Sequence, residues 1–434
     1  MNKIEKVTIS EFWGDKDVVL NFKEDVNFLI GVNGSGKTTI INLIAAALNA
    51  DFSTLDRIQF KKIHIDLYSV DKNPKNSQNG FIEVEKAEQP SSPFPSIVFK
   101  IKKPGEQEAK KFILDVLERE QVFRYSGEYQ TVHRTSKRSG QFERDINFAL
   151  KEIVNVSWLS IHRTSTPYNR REEKNFESTV DQKIVELAND LIKYFSLLNR
   201  KYSEETEKFQ KYIFESLITE SQADVFAFIK TLDAEKEKES LKQIFLQFGL
   251  NQNVSTKKLD SFFTSYKASY EKMEQPQPGP ITIDDLSHFL GIKRIHSVVQ
   301  EWNKLLETQK KINKSKDIFL EVINALLQRK KLIINEKNEL IAETQSGKQL
   351  ALITLSSGEK QLLIILGQSL LQESRVHIYI ADEPELSLHV EWQEKLVNSL
   401  KSVNPMSQII FATHSPDIVG EYENSVIKIE DAIK

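Results

Sequence analysis

The stretch GVNGSGKT at 31–38 has the spacing G-x-x-x-x-G-K-[ST], and its residue types are those that hold a phosphate. Gly31, Gly34 and Gly36 let the backbone curl, so that successive N–H groups along Asn33, Gly34, Ser35, Gly36, Lys37, Thr38 and Thr39 converge on phosphate oxygens. A helix opening at Lys37 adds the positive end of its dipole. Lys37 would reach the β- and γ-phosphates of a nucleotide, and the Thr38 hydroxyl would hold Mg²⁺. The alternative is a glycine turn that happens to match. An apolar strand before the loop and an apolar-striped helix after it weigh against that alternative.

Three further groups could act on the same phosphates. VHIYIADEP is an apolar strand ending in Asp382 and Glu383. Side chains at the carboxyl ends of parallel strands line the ligand crevice, so Asp382 is placed to hold Mg²⁺ and Glu383 to polarise a water for attack on the γ-phosphate. Two acids merely ending a strand are the plainer reading. Ser356, Ser357, Gly358 and Glu359 precede a strongly apolar helix, where capping alone explains them, although the same N–H and hydroxyl groups form an anion site. His414 follows the apolar run SQIIFAT and could donate to the γ-phosphate, but a lone loop histidine is more often a surface residue.

These groups need elements to position them. Residues 4–10 and 17–22 read as short strands, with Phe12 and Trp13 in the turn between, leading into a strand at 26–32. Ile40, Ile41, Leu43, Ile44, Ala47 and Leu48 make the stripe that packs the following helix on a sheet. From Lys62 the period changes to two, in four runs reaching about Val116, which predicts a small antiparallel sheet. Basic and aromatic residues alternate over 117–145 but are diluted by acids, so a solvated surface is favoured over a nucleic-acid site. A helix at 145–154 and a strand at 156–161 follow. Residues 181–327 are largely helical, broken by QPQPGP at 275–280, without the sustained heptads of a long coiled coil. A hairpin turning near Asn338 then precedes alternating buried strands and helices, the pattern of a parallel sheet covered by helices.

At 434 residues the chain exceeds one ordinary core. We expect the N-terminal part of a nucleotide-binding core with a β-subdomain over 1–165, a helical insertion over 166–316, and the rest of the core over 317–434. The formal net charge of −3 gives no overall attraction for nucleic acid. The absence of cysteine removes disulfides, thiolate metal sites and cysteine nucleophiles together. With no apolar run of about 18 residues and no signal-peptide core, a cytoplasmic protein with no membrane segment is expected.

Together and in this order, the phosphate loop, LSSGE, DE at a strand end and a following histidine resemble the ATP-binding cassette ATPases. The long gap filled by helices is similar to the branch containing the chromosome-maintenance (SMC), RecF and overcoming-lysogenization-defect (OLD) ATPases, and the wording DEPELSLH and FATHSP fits the last best. The resemblance covers roughly 1–50 and 317–420. It implies an α/β cassette-type core using ATP and Mg²⁺, with two copies head to tail. Lys37, Thr38, Asp382, Glu383 and His414 of one copy would meet Ser356, Ser357 and Gly358 of the other, as a homodimer able to build a higher homo-oligomer. Two departures stand: His389 replaces the aspartate usual in transporters, and the strand at 156–161 runs into His162-Arg163 in place of a glutamine loop.

OLD-type nucleases carry a Toprim domain after the cassette, and only 20 residues follow His414, so no nuclease is expected in this sequence. The chain is therefore similar to the ATPase subunits of anti-phage systems such as PARIS and Septu. That implies an ATPase which senses or gates a separate effector, a nuclease, in response to a phage-encoded trigger. Direct nucleic-acid binding by a RecF-like repair ATPase stays open as the alternative, and a transporter ATPase is the third reading.

Overall fold

The computed structural model describes residues 1–70, 79–89, 92–114, 139–159, 178–218, 225–250, 252–275 and 279–434. The basic–aromatic stretch over most of 117–145 and the His162-Arg163 pair lie outside these residues. The described chain divides into two compact units, one of Met1–Lys193 with Ser315–Lys434 and one of Tyr194–Lys314. Both boundaries fall inside long helices, Thr179–Ile218 and Ile283–Leu326.

In the first unit, β1 (Asn2–Phe12), β2 (Lys16–Asn21), β4 (Lys62–Ser69), β5 (Gly80–Gln89), β6 (Ser92–Lys102) and β7 (Lys110–Leu114) form one antiparallel sheet in the order β2-β1-β4-β5-β6-β7. The second sheet uses β3 (Val26–Ile30), β8 (Val156–Leu159), β12 (His377–Asp382), β13 (Ser407–Ala412) and β14 (Val426–Lys428) in the order β14-β3-β13-β12-β8. All of its pairings are parallel. A third, three-stranded sheet is β9 (Lys330–Ile334), β10 (Leu340–Thr344) and β11 (Gln349–Leu350), with Asn338 in the left-handed region at its first turn. The α/β class expected from the sequence is present, and the antiparallel sheet is larger than expected because β1 and β2 join it.

Burial follows the sequence patterns. All six residues of β13 are buried, as in a parallel strand covered on both faces, whereas β4 alternates, with Ile63, Ile65 and Leu67 at 0 % exposure on the core side. Between the two sheets lies the helix Lys37–Asn49, with nine buried residues. Its expected stripe was wide enough for one sheet; Ala45 and Ala46 are buried as well because the helix meets both. Ile9, Ile44, Val84, Ile380 and Ile410 belong to one continuous core.

Gln408, at 0 % exposure, stitches the sheets together. Its Oε1 accepts from the Ile4 N–H at 2.8 Å, and its Nε2 donates to the carbonyls of Ile4 (2.7 Å) and Lys23 (2.8 Å). A buried amide pays no unmet desolvation penalty when its donor and acceptor both find partners.

The second unit is helical around its own apolar cluster, including Phe209, Phe263, Tyr266, Phe289 and Trp302. No helix among the described residues is long and apolar enough to cross a membrane.

Candidate active site

The phosphate loop leaves β3 at its carboxyl end, which β3 shares with its parallel neighbours β13 and β14. Gly34 (φ 84°) and Gly36 (φ 97°) take the left-handed conformation that side chains disfavour. A Cβ on Gly34 would meet nothing within 4 Å, leaving the backbone open to a ligand. Gly36 has the opposite constraint: a Cβ there would lie 2.9 Å from the Trp13 ring. Asn33 and Gly34 are exposed at the loop tip, and Ser35 Oγ is out of solvent with no hydrogen-bond partner. An orphaned hydroxyl beside an open glycine cradle fits a loop shaped for an anion.

Lys37 is 5 % exposed and donates to the carbonyls of Gly31 (2.8 Å) and Val32 (3.1 Å). Burial draws its ammonium below the usual lysine range, while the carboxylates of Glu383, Glu430 and Asp382 pull the other way. Its neighbour Thr38 donates from Oγ1 to Asp382 Oδ1 at 3.1 Å, across 344 residues of sequence. A hydroxyl and a carboxylate oxygen make the hard donor set that suits Mg²⁺, with further positions left for phosphate and water. Among the described residues no cluster of three or more His, Asp or Glu forms a separate metal site.

Glu383 follows β12 with φ at 47°, an uncommon conformation for a side-chain-bearing residue. Its N–H donates to the Ala412 carbonyl at 2.8 Å, and its own carbonyl accepts from Leu386 N–H at 3.2 Å, so both sides of the turn are pinned. His414 is exposed at the end of β13. A cleft of about 570 Å³ joins Gly31 and Val32 to Thr413, His414 and Glu430. Lys37, Thr38, Asp382 and Glu383 are not in its lining; Thr38 and Asp382 are joined by their own hydrogen bond.

The serine–glycine segment stands apart. Ser356 caps the helix Ser357–Leu371 through a capping box with Glu359, and Lys330 Nζ holds the Glu359 carboxylate at 2.8 Å. Burial alone would raise Glu359, but Lys330 and the Ser356 N–H hold it below the usual carboxylate range. Gly358 is required by packing, because a Cβ there would sit 2.5 Å from the Ser387 carbonyl. Ser356 and Ser357 are exposed, and none of their hydrogen bonds reaches the phosphate loop of the same chain. The fold therefore gathers Lys37, Thr38, Asp382 and Glu383, sets His414 across a cleft from Gly31 and Val32, and gives the serines no bond to the loop.

Two residues at the site were not singled out from sequence. Glu430 Oε1 accepts from the Val32 N–H at 2.7 Å, and this bond helps hold its carboxyl below the ordinary range. It comes from the short helix Ile429–Ala432, and nothing in the local string IEDAIK signals that placement. The other is Glu385, taken up below. Of the two aromatics expected in the β1–β2 turn, Phe12 is the last residue of β1, fully buried in the core. Trp13 is 40 % exposed, stacks on Phe12 at 4.6 Å and covers Gly36.

The sequence profile of the AAA ATPase domain matches residues 2–419. The chain is 25% identical over 261 residues to the "Retron Vc95 probable ATPase" of Vibrio cholerae serotype O1 biovar El Tor, a match covering 58% of this chain and 46% of that protein. It is 30% identical over 134 residues to the DNA double-strand break repair Rad50 ATPase of Sulfurisphaera tokodaii, covering 27% of this chain and 15% of that one. The matches thus span less than half the length of these curated relatives. Among solved structures, the Smc head domain of Pyrococcus furiosus, with an extended coiled coil and bound to the C-terminal domain of ScpA, aligns over 96% of this chain and 91% of that one. The identity is 15% and the TM-score 0.43. The Smc head with a coiled coil and joint from Pyrococcus yayanosii aligns over 96% and 93%, at 15% identity and a TM-score of 0.40.

Proposed function

The chain belongs to the AAA ATPase domain family, and from that premise we propose that it hydrolyses ATP at the site built by Lys37, Thr38, Asp382 and Glu383. The observation that carries this reading is the 3.1 Å contact between Thr38 and Asp382, which joins the phosphate loop to an acidic strand end beside Lys37. In the mechanism, the loop N–H groups and the Lys37 ammonium bind and orient the β- and γ-phosphates. Mg²⁺ held by the Thr38 hydroxyl and the Asp382 carboxylate would offset phosphate charge. Glu383 takes a proton from the attacking water, and His414 donates to a γ-phosphate oxygen.

Trp13 is the adenine platform in this reading, since its exposed ring lies against the loop glycine while Phe12 behind it is core. Base–aromatic stacking contributes about 1–3 kcal/mol. Trp13→Ala should therefore raise the KM for ATP roughly tenfold and leave kcat within about twofold. Steady-state phosphate release against ATP concentration checks this, and an equal loss in kcat would argue that Trp13 only props up the loop.

The Ser356-Ser357 pair is exposed, and the side-chain bonds of Ser356 among the described residues stay within its own cap, which supports an assembly in which these serines close over ATP on a second copy. Ile353, Leu386 and Val390, in the segments flanking Gly358, are 41%, 41% and 49% exposed, consistent with a face covered on association. Such a dimer would sense or gate an effector, a nuclease, in phage defence. The defence setting draws support from the likeness to the retron ATPase, and the alternative of DNA repair from the likeness to Rad50. Duplex affinity whose logarithm falls with log salt would favour the alternative.

The shared site has a direct test. Ser357→Arg should spare ATP binding but cut turnover more than tenfold, by blocking the second half of the site. Mixing Ser357→Arg with Lys37→Ala chains should restore turnover, because a mixed dimer pairs one intact loop with one intact serine segment. If the mixture stays as inactive as its components, the sites are not shared between copies.

A further inference from the structure

We infer that Glu385 is a positioning residue for hydrolysis, fixing His414 against the turn that carries Glu383; this rests on the ATPase reading above. Glu385 is 9 % exposed and lies two residues beyond Glu383. Its Oε1 accepts from the Thr413 hydroxyl at 2.5 Å and from the His414 N–H at 3.1 Å. The Thr413 hydroxyl in turn accepts from the Ser415 N–H at 2.9 Å. One carboxylate oxygen thus holds the Thr413 hydroxyl and the His414 backbone directly, and the Ser415 backbone through that hydroxyl.

The turns after β12 and β13 are each held from another direction as well. Gln361, on the helix Ser357–Leu371, donates from Nε2 to the Pro384 carbonyl at 2.7 Å in a buried contact. Thr413 donates its own N–H to the Leu29 carbonyl at 3.2 Å, on the strand that ends in the phosphate loop. Glu383 N–H to Ala412 and Glu385 to Thr413 and His414 are therefore two parallel cross-links between the β12 and β13 turns. The first fixes the base-bearing backbone. The second fixes the histidine relative to it.

The other carboxylate oxygen, Oε2, is out of solvent with no hydrogen-bond partner. That asymmetry makes the conservative variant informative. A glutamine can keep Oε1 on Thr413 and His414 while its amide takes the Oε2 place, preserving geometry and removing charge. An alanine leaves a hydroxyl and an N–H without their acceptor, and the His414 loop is released. Misplacement of a catalytic group by about 1 Å can cost about a hundredfold in rate.

The test uses the full chain. Glu385→Ala should lower kcat between about tenfold and a hundredfold, with ATP affinity, read by titration of a fluorescent ATP analogue, within about threefold of wild type. Glu385→Gln should recover kcat to within about fivefold of wild type. Because Glu385 acts through His414, adding Glu385→Ala to His414→Ala should cost less than twofold beyond His414→Ala alone. Should Glu385→Ala fold poorly, Thr413→Val removes the same contact from the other side and enters the same cycle with His414→Ala. Full additivity in the cycle, a glutamine variant as slow as the alanine one, or an affinity loss matching the kcat loss would each overturn the assignment. Its failure is separable from that of the ATPase reading, because Glu383→Gln reports on hydrolysis without touching the Glu385 contacts.

Discussion

Lys37→Ala should lose ATP turnover by about a thousandfold or more and ATP affinity by at least about a hundredfold. The ammonium is almost wholly buried and bonded to two loop carbonyls, so its loss leaves those oxygens without their donor. The electrostatic loss is larger. Three carboxylates, Glu383, Glu430 and Asp382, face this cation. Without it less positive charge offsets them where a polyanionic nucleotide must enter. Phosphate release at saturating ATP and an independent nucleotide titration check the two numbers separately. Retained affinity with lost turnover would mean that Lys37 acts only on the transition state.

Glu383→Gln should lower kcat by about a hundredfold to ten-thousandfold while keeping or tightening ATP binding. Glutamine matches the side chain in size and leaves the backbone N–H bond to Ala412 intact, so the φ of 47° keeps its support. What is lost is the ability to take a proton. ATP-bound assemblies should then accumulate, visible as an ATP-dependent shift in mass by light scattering. Normal turnover in this variant would remove Glu383 as the base and shift attention to His414.

The two variants test parts of the site that were unequally legible in the sequence. The phosphate loop was readable because its chemistry is contiguous: the positive φ values at Gly34 and Gly36 and the lysine that follows all belong to one turn of chain. The strand that ends in Asp382 and the one that leads to His414 were readable for a different reason, since unbroken apolar runs mark strands covered on both faces. Glu430, Glu385 and the divergent fates of Phe12 and Trp13 were not readable. Each depends on a partner from another part of the sequence, and the residue types involved are equally at home on a solvated surface. A largely helical stretch was expected over 181–327, yet the division of the chain inside Thr179–Ile218 and Ile283–Leu326 leaves no local mark, because helical spacing continues across both boundaries.

By itself the sequence determined that this protein carries a phosphate loop between a buried strand and a helix, in an α/β frame with acids and a histidine at later strand ends. These features are set by local backbone conformation and by the period of apolar residues, both of which act over a few residues. Only the tertiary structure decided that Glu430 sits on the loop and that Glu385 grips Thr413 and His414, and it set the direct contact between Thr38 and Asp382, two residues the sequence had assigned to one metal ion. Those pairings follow from the order β14-β3-β13-β12-β8, which is fixed by long-range packing of a shared core and not by any string of neighbours.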